Sequence, residues 1–299
     1  MNSAHLSAIV AFSLWGFFPI YWKYFSELSA WDLFGHRLFW SFVTLWLIVI
    51  VRKKTLIVKM IHEDRKTALM LLLSALLISS NWLLYIYAVN EGRILEASMG
   101  YFLNTLINTF MGWLILKERL RPTQWPAILL AFFAIILLAL TTDLNHFPWI
   151  AIILALTFAL YGLIRKLAKV GSLEGLTFET SLLIFPVIVY WIFYMGSSPL
   201  DALKVMSVGK YSILALSGLV TTLPLILFAY SAKRLPLQVL GFIQYLSPSF
   251  KFLCGLFLFH ETLSDERLRA FVIIWIALGY YTLESFWNSR RGRYIPPTE

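Results

Sequence analysis

Ten stretches of about 20 mostly apolar residues run through this chain, at roughly 6–25, 32–51, 67–90, 94–116, 123–142, 148–168, 176–196, 211–232, 238–260 and 268–288, each long enough to cross a bilayer as a helix. A closed barrel would show short alternating segments, whereas these runs are continuous. Of 299 residues, 60% are hydrophobic and 14% charged, more apolar surface than a water-soluble core of this length can hide. The expected fold is an all-α polytopic membrane protein of ten transmembrane helices.

The first run follows "MNSAH", which lacks a basic leader, so it is expected to be a retained helix. The connections, the longest at 52–66 and 197–210, are too short to form a separate domain. Cys254 is the only cysteine, which excludes a disulfide or a cysteine-based metal site within one chain. The net charge of +9 is not a nucleic-acid signature here, because the basic residues flank the apolar runs, where they set orientation. With both termini on the cytoplasmic side, the inner loops and tail hold seventeen Lys and Arg and the outer ends hold six. Only Arg37 and Lys251 then lie within helices.

An odd number of helices per half requires a duplicated half to run inverted through the membrane. A shift of 143 positions lays "MGWLILKERL" (111–120) over "CGLFLFHETL" (254–263), and "LWG" (14–16) falls near "LYG" (160–162). Two inverted five-helix repeats are therefore expected at 1–146 and 147–290, with a cytoplasmic tail at 291–299. In the fourth run Glu96, Gly100, Asn104, Asn108 and Gly112 recur every four residues and share one helix face. In the second half, the shifted positions include Ser247, Lys251 and Gly255, with Pro248 alongside. Such stripes either line a cavity or let helices pack closely. Lys251, about halfway along its run, favours the cavity, because a mid-bilayer cation is costly unless it faces water or a partner. Trp15, Tyr101, Tyr161, Gln244 and Tyr245 lie deep enough to join that lining.

Lys23, Asp32, His36, Arg37 and Glu96 all fall toward the outer end of their runs and form a candidate outer closure. Arg165, Lys166 and Glu179, with Gln238, form its inner counterpart. Snorkelling to the interface is an equal reading for Lys23 and Lys166. Pro19, Pro224 and Pro248 interrupt helical runs, which makes them candidate hinges.

The segments "LWGFFPIYWK", "GHRLFWS", "NWLLYIYAVN", "LEASMGYFLN", "ALYGLIRK", "FET", "VTTLPL" and "LGFIQY" resemble, in order and over nearly the whole chain, those of RarD-type permeases. These are EamA-family members of the drug/metabolite transporter superfamily. The resemblance implies a ten-helix exporter of the bacterial inner membrane, with two repeats, a central cavity and alternating access. It also implies export of chloramphenicol or of an unidentified metabolite. Thr105 stands where the family carries a proline that bends the fourth helix, and Lys251 is outside the family pattern.

A channel is the first rival reading, which the inverted repeat and intrahelical prolines disfavour. An enzyme is the second, but the chain has neither HExxH nor GxSxG. It carries no P-loop for ATP-driven pumping, and no cofactor or metal is expected. The expected partners are the lipid bilayer and a small-molecule substrate, as a monomer or homodimer. Glu96, Glu179 and His36 are titratable candidates for proton coupling, with structural ion pairing as the alternative. With Lys251 at mid-depth and no carboxylate there, the expected substrates are neutral, zwitterionic or anionic amphiphiles.

Overall fold

The computed structural model describes residues 3–25, 27–51, 65–90, 94–118, 120–140, 149–193, 206–258 and 265–290. The described residues are helical almost throughout, because long apolar runs without internal turn signals can satisfy their backbone groups in lipid only as helices. The elements are α1 (Ser3–Gly16), α2 (Phe18–Lys23), α3 (Ala30–Val51), α4 (Arg65–Asn90), α5 (Ile94–Leu114), α6 (Trp125–Leu140), α7 (Trp149–Leu167), α8 (Ser172–Phe193), α9 (Val208–Ala215), α10 (Ser217–Ala232), α11 (Leu237–Gln244), α12 (Leu246–Phe257) and α13 (Asp265–Arg290). Joining α1 to α2, α9 to α10 and α11 to α12, each across a single residue, gives ten helical segments among the described residues. Six of them are long and apolar enough to cross a membrane by length and composition alone. Large side chains such as Leu69, Phe132, Phe133 and Phe193 point outward and exposed, as a lipid-facing surface requires.

The three interruptions fall at Phe17, Leu216 and Tyr245. Two have a proline just downstream: Pro19 follows Phe17, and Pro248 follows Tyr245. A proline supplies no N–H to the carbonyl one turn earlier. Pro224 does not mark the third break, since it lies inside α10 while the interruption is at Leu216. Pro186, inside α8, is a further intrahelical proline. The fourth segment, with Thr105 near its middle, is helical from Ile94 to Leu114 without a break.

α5 and α4 both pack on α7, while α10 and α12 both pack on α1. α3 lies against α8 and α10, and α8 also meets α4. α6 and α13 pair with one another at the periphery, joined to the rest through a cluster around Phe102, Phe242 and Tyr281. The phenyl ring of Phe242 stacks on Tyr281 at 3.6 Å between centroids.

Candidate functional site

The side of the bundle that holds the N-terminus is closed by polar contacts. Arg165, near the end of α7, and Glu179, on α8, are both buried, and Arg165 Nη1 lies 3.2 Å from Glu179 Oε1. Ser74 of α4 donates to the same carboxylate oxygen, and Arg165 Nη2 donates to Ser172 O at 3.0 Å. Gly175 makes this possible, because a Cβ at that position would occupy the place of the guanidinium. Next to this pair, Lys166 Nζ donates to Leu235 O at 2.5 Å and lies 3.6 Å from Glu118 Oε1. Glu118 in turn accepts from the Leu237 backbone N–H at 2.9 Å. It is delivered by a tight turn in which Lys117 has φ 55° and Glu118 N bonds back to Gly112 O. Lys233 donates to Ala168 O and Val170 O, and Ser231 donates to Ala4 O at 2.8 Å. Contacts from α1, α4, α7, α8, α10, α11 and the three connections after α5, after α7 and before α11 thus tie one side shut.

Above this seal lies an aromatic layer. Phe158 and Tyr161 lie one helical turn apart on α7, and Arg165 follows Tyr161 at the next turn, so one helix face carries plug and seal in succession. Phe158 meets Phe228 at 5.3 Å between centroids, and Tyr161 stacks on Phe228 at 5.9 Å. Trp15 closes against both Phe158 and Phe228, at 5.7 and 5.6 Å.

Beyond the aromatic layer is a cavity of about 40 Å³, room for a few waters. Its lining includes Phe12, Trp15, Phe18, Arg37, Asn81 and Trp82, together with Tyr85, Tyr101, Phe158, Gln244, Ser247 and Lys251. Two of these are cations. Arg37 lies with its guanidinium carbon 4.0 Å from the centre of a Trp82 ring, while its Nε donates to Thr221 Oγ1 at 3.1 Å. Lys251 Nζ lies 3.9 Å from the Tyr101 ring centre and 4.8 Å from that of Tyr85. No described lining residue is a carboxylate. Gln244 Nε2 is buried without a hydrogen-bond partner among the described residues.

Five of the ten residues expected to line a cavity are in its wall or packed into it: Trp15, Tyr101, Gln244, Ser247 and Lys251. Gly100 and Asn104 instead occupy the seam between α5 and α7. A Cβ on Gly100 would come within 2.8 Å of Ala151 O, and Asn104 Nδ2 donates to Ala155 O at 2.8 Å. Asn108 stands behind the wall, donating to Asn104 Oδ1 and, at 3.4 Å, to the cavity residue Gln244. Tyr161 belongs to the aromatic layer, and Tyr245 is buried at the α11–α12 break against Phe102. Of the residues expected to form an inner cluster, Arg165 pairs with Glu179, while Lys166 turns to Glu118 and Leu235 O. Of the residues expected at the outer closure, Lys23 is exposed at the end of α2, His36 packs beside Trp191 at 5.9 Å, and Arg37 faces the cavity. The side chains of Glu96 and Gln238, loop 52–64 and tail 291–299 lie outside the described residues. Sequence reasoning missed Phe12, Phe18, Asn81, Trp82, Tyr85 and Phe158. The signal was present in the spacing of Asn81 and Tyr85, four residues apart inside an otherwise apolar run.

Long apolar helices around an enclosed, partly polar space define a multi-pass membrane protein built to handle a small molecule. The model of the EamA-like transporter family matches residues 2–140. An uncharacterized transporter of Pseudomonas aeruginosa is 37% identical over 97% of both chains. The Protein RarD of Streptomyces exfoliatus is 38% identical over 95% of this chain and 89% of its own, and that of Escherichia coli is 35% identical over 96% of each. A solved crystal structure at 16% identity superposes with a TM-score of 0.70, covering 94% of this chain and 98% of its own. The chain belongs to the EamA-like transporter family, in its RarD-related branch. Its activity is transport across a membrane, with no covalent chemistry.

Proposed function

We propose that this protein is a secondary-active exporter of the bacterial cytoplasmic membrane that carries a small amphiphilic metabolite or drug by alternating access. Chloramphenicol is one candidate cargo. Both termini are cytoplasmic, and units 1–146 and 147–290 are inverted repeats. The packing supports the repeat: exchanging each segment for the one five places on turns α5 on α7 into α12 on α1, α4 on α7 into α10 on α1, and α3 on α10 into α8 on α4. The observation that carries the mechanism is the asymmetry of closure, with polar ties on one side of the aromatic layer and a cavity on the other. A carrier closes one side at a time, and the tied side corresponds to the cytoplasmic one by the charge count.

The test is a reversible staple across the seal. Ala4→Cys with Ser231→Cys, in a Cys254→Ser background, joins α1 to α10 where their contact already exists. A compound that accumulates outside only in cells carrying the protein should fall to the level of cells lacking it when the staple is oxidised, and recover on reduction. Continued export with the staple closed would contradict alternating access. The orientation is checked separately: Lys59→Cys should resist an impermeant thiol reagent in intact cells, and labelling from outside would reverse the topology.

A further inference from the structure

The expectation from sequence placed one cation in the cavity, whereas the structure places two there. Arg37 and Lys251 both line the same small space and repel one another across it. Among the described residues Arg37 makes one side-chain hydrogen bond, to a neutral threonine, and Lys251 makes none. Instead both rest on ring faces, the guanidinium on Trp82 and the ammonium on Tyr101 and Tyr85. The face of an aromatic ring attracts a cation, but weakly enough for a carboxylate to draw it away. Intramembrane charges normally meet an opposite charge, and among the described residues this pair of cations has no counter-ion, the place a ligand would fill.

We propose that Arg37 and Lys251 together receive the carboxylate of an aromatic monocarboxylic acid, whose ring packs against the Trp and Tyr walls. The proposal rests on the transport reading above and names its substrate class. Gln244 Nε2, buried without an acceptor among the described residues, adds a third donor to the same space. An amine would meet two like charges, and a neutral amide would leave both cations without a counter-ion. The cavity as it stands holds only a few waters. Binding therefore has to lift the two cations off their rings toward the carboxylate, which frees those ring faces for the substrate.

The measurement is calorimetric titration of the purified full-length protein in detergent with phenylacetate, phenylacetamide and phenethylamine, with melting curves to confirm folding. Phenylacetate should bind, and the amide and amine should bind at least tenfold more weakly. Lys251→Met and Arg37→Gln should each weaken phenylacetate binding by about ten- to a hundredfold, the range of a lost hydrogen bond to a charged group. Lys251→Arg should stay within a few-fold of the parent. The proposal is overturned if folded parent protein binds no phenylacetate, if it binds the amide or amine as tightly, or if folded Lys251→Met binds like the parent. The comparison of three probes on the parent needs no variant to fold. Failure here with a working staple response removes the substrate class and leaves alternating access standing, whereas an ineffective staple with selective anion binding does the reverse.

Discussion

Arg165 and Arg37 are the same kind of side chain at nearly the same burial, 0% and 4% exposed. Arg165 meets Glu179, a serine-supported carboxylate, and a backbone carbonyl. Arg37 meets a threonine and aromatic faces. A buried ion pair that is broken leaves an uncompensated charge, so the first arrangement resists single changes. The second leaves its cation available to something that enters. Burial alone does not distinguish a structural charge from a recognition charge; the identity of the partner does.

The comparison breaks most readily at Glu179. Glu179→Ala leaves Arg165 buried without its carboxylate and should destabilise the protein by about 3–5 kcal/mol in unfolding measurements. Replacing both residues by Met should recover most of that loss, and a single variant that melts like the parent would remove Arg165–Glu179 from the seal. Gly175→Ala, which pushes a methyl into the guanidinium's place, should cost about 1–3 kcal/mol through overpacking. Because it acts through Arg165, its effect should be non-additive with Glu179→Ala, and strict additivity would argue against that route.

Arg37→Leu sharpens the contrast. An apolar residue replaces a charge that has no carboxylate among the described residues, so stability should change by less than about 1 kcal/mol while phenylacetate binding collapses. A loss of stability as large as that of Glu179→Ala would mean that Arg37 is structural after all. The smallest effect belongs to the ion pair at the edge of a spanning segment, where Lys210 Nζ, in the first turn of α9, lies 2.5 Å from Oε1 of the loop residue Glu27 and both side chains are partly exposed. The hydrogen bond from Lys210 holds the Glu27 carboxyl below its ordinary value of 4.5. Its small contribution is therefore present above that pH and is lost as pH falls through the lower folded value. Glu27→Gln should cost less than about 1 kcal/mol at neutral pH, and the difference should shrink in high salt.

The ten segments were legible because an apolar run long enough to span a bilayer has one way to satisfy its backbone. The run read at 94–116 is the helix Ile94–Leu114, and that at 123–142 contains Trp125–Leu140. Arg165 and Glu179 fall at the same end of neighbouring runs in the sequence, but that they pair with one another, while Lys166 turns to Glu118, shows only in the packing. The direction of a helix face was not legible either. Gly100 and Asn104 carry the polar, small-residue signature of both a cavity wall and a packing seam, and only the neighbour, α7, decides between them. Trp82 and Phe158 were hidden for a related reason, because in an apolar run an aromatic residue facing lipid and one facing a cavity are spelled alike. Glu118 lies within the repeated segment 111–120, but its role as acceptor for Lys166 depends on the left-handed turn at Lys117.

The most direct test of one tied side with a cavity beyond it is the rate at which a cysteine in the cavity wall reacts from each face of the membrane. Ser247→Cys, in a Cys254→Ser background, is measured with an impermeant thiol reagent in right-side-out and inside-out vesicles, with and without the oxidised Ala4→Cys/Ser231→Cys staple. With the staple closed, the cavity cysteine should react from the outer face and be protected from the cytoplasmic face; reduction should restore reaction from the cytoplasmic face. Equal reaction from both faces with the staple closed would contradict the account, because the polar ties around Arg165 and Glu179 would then not be closing a path to the cavity.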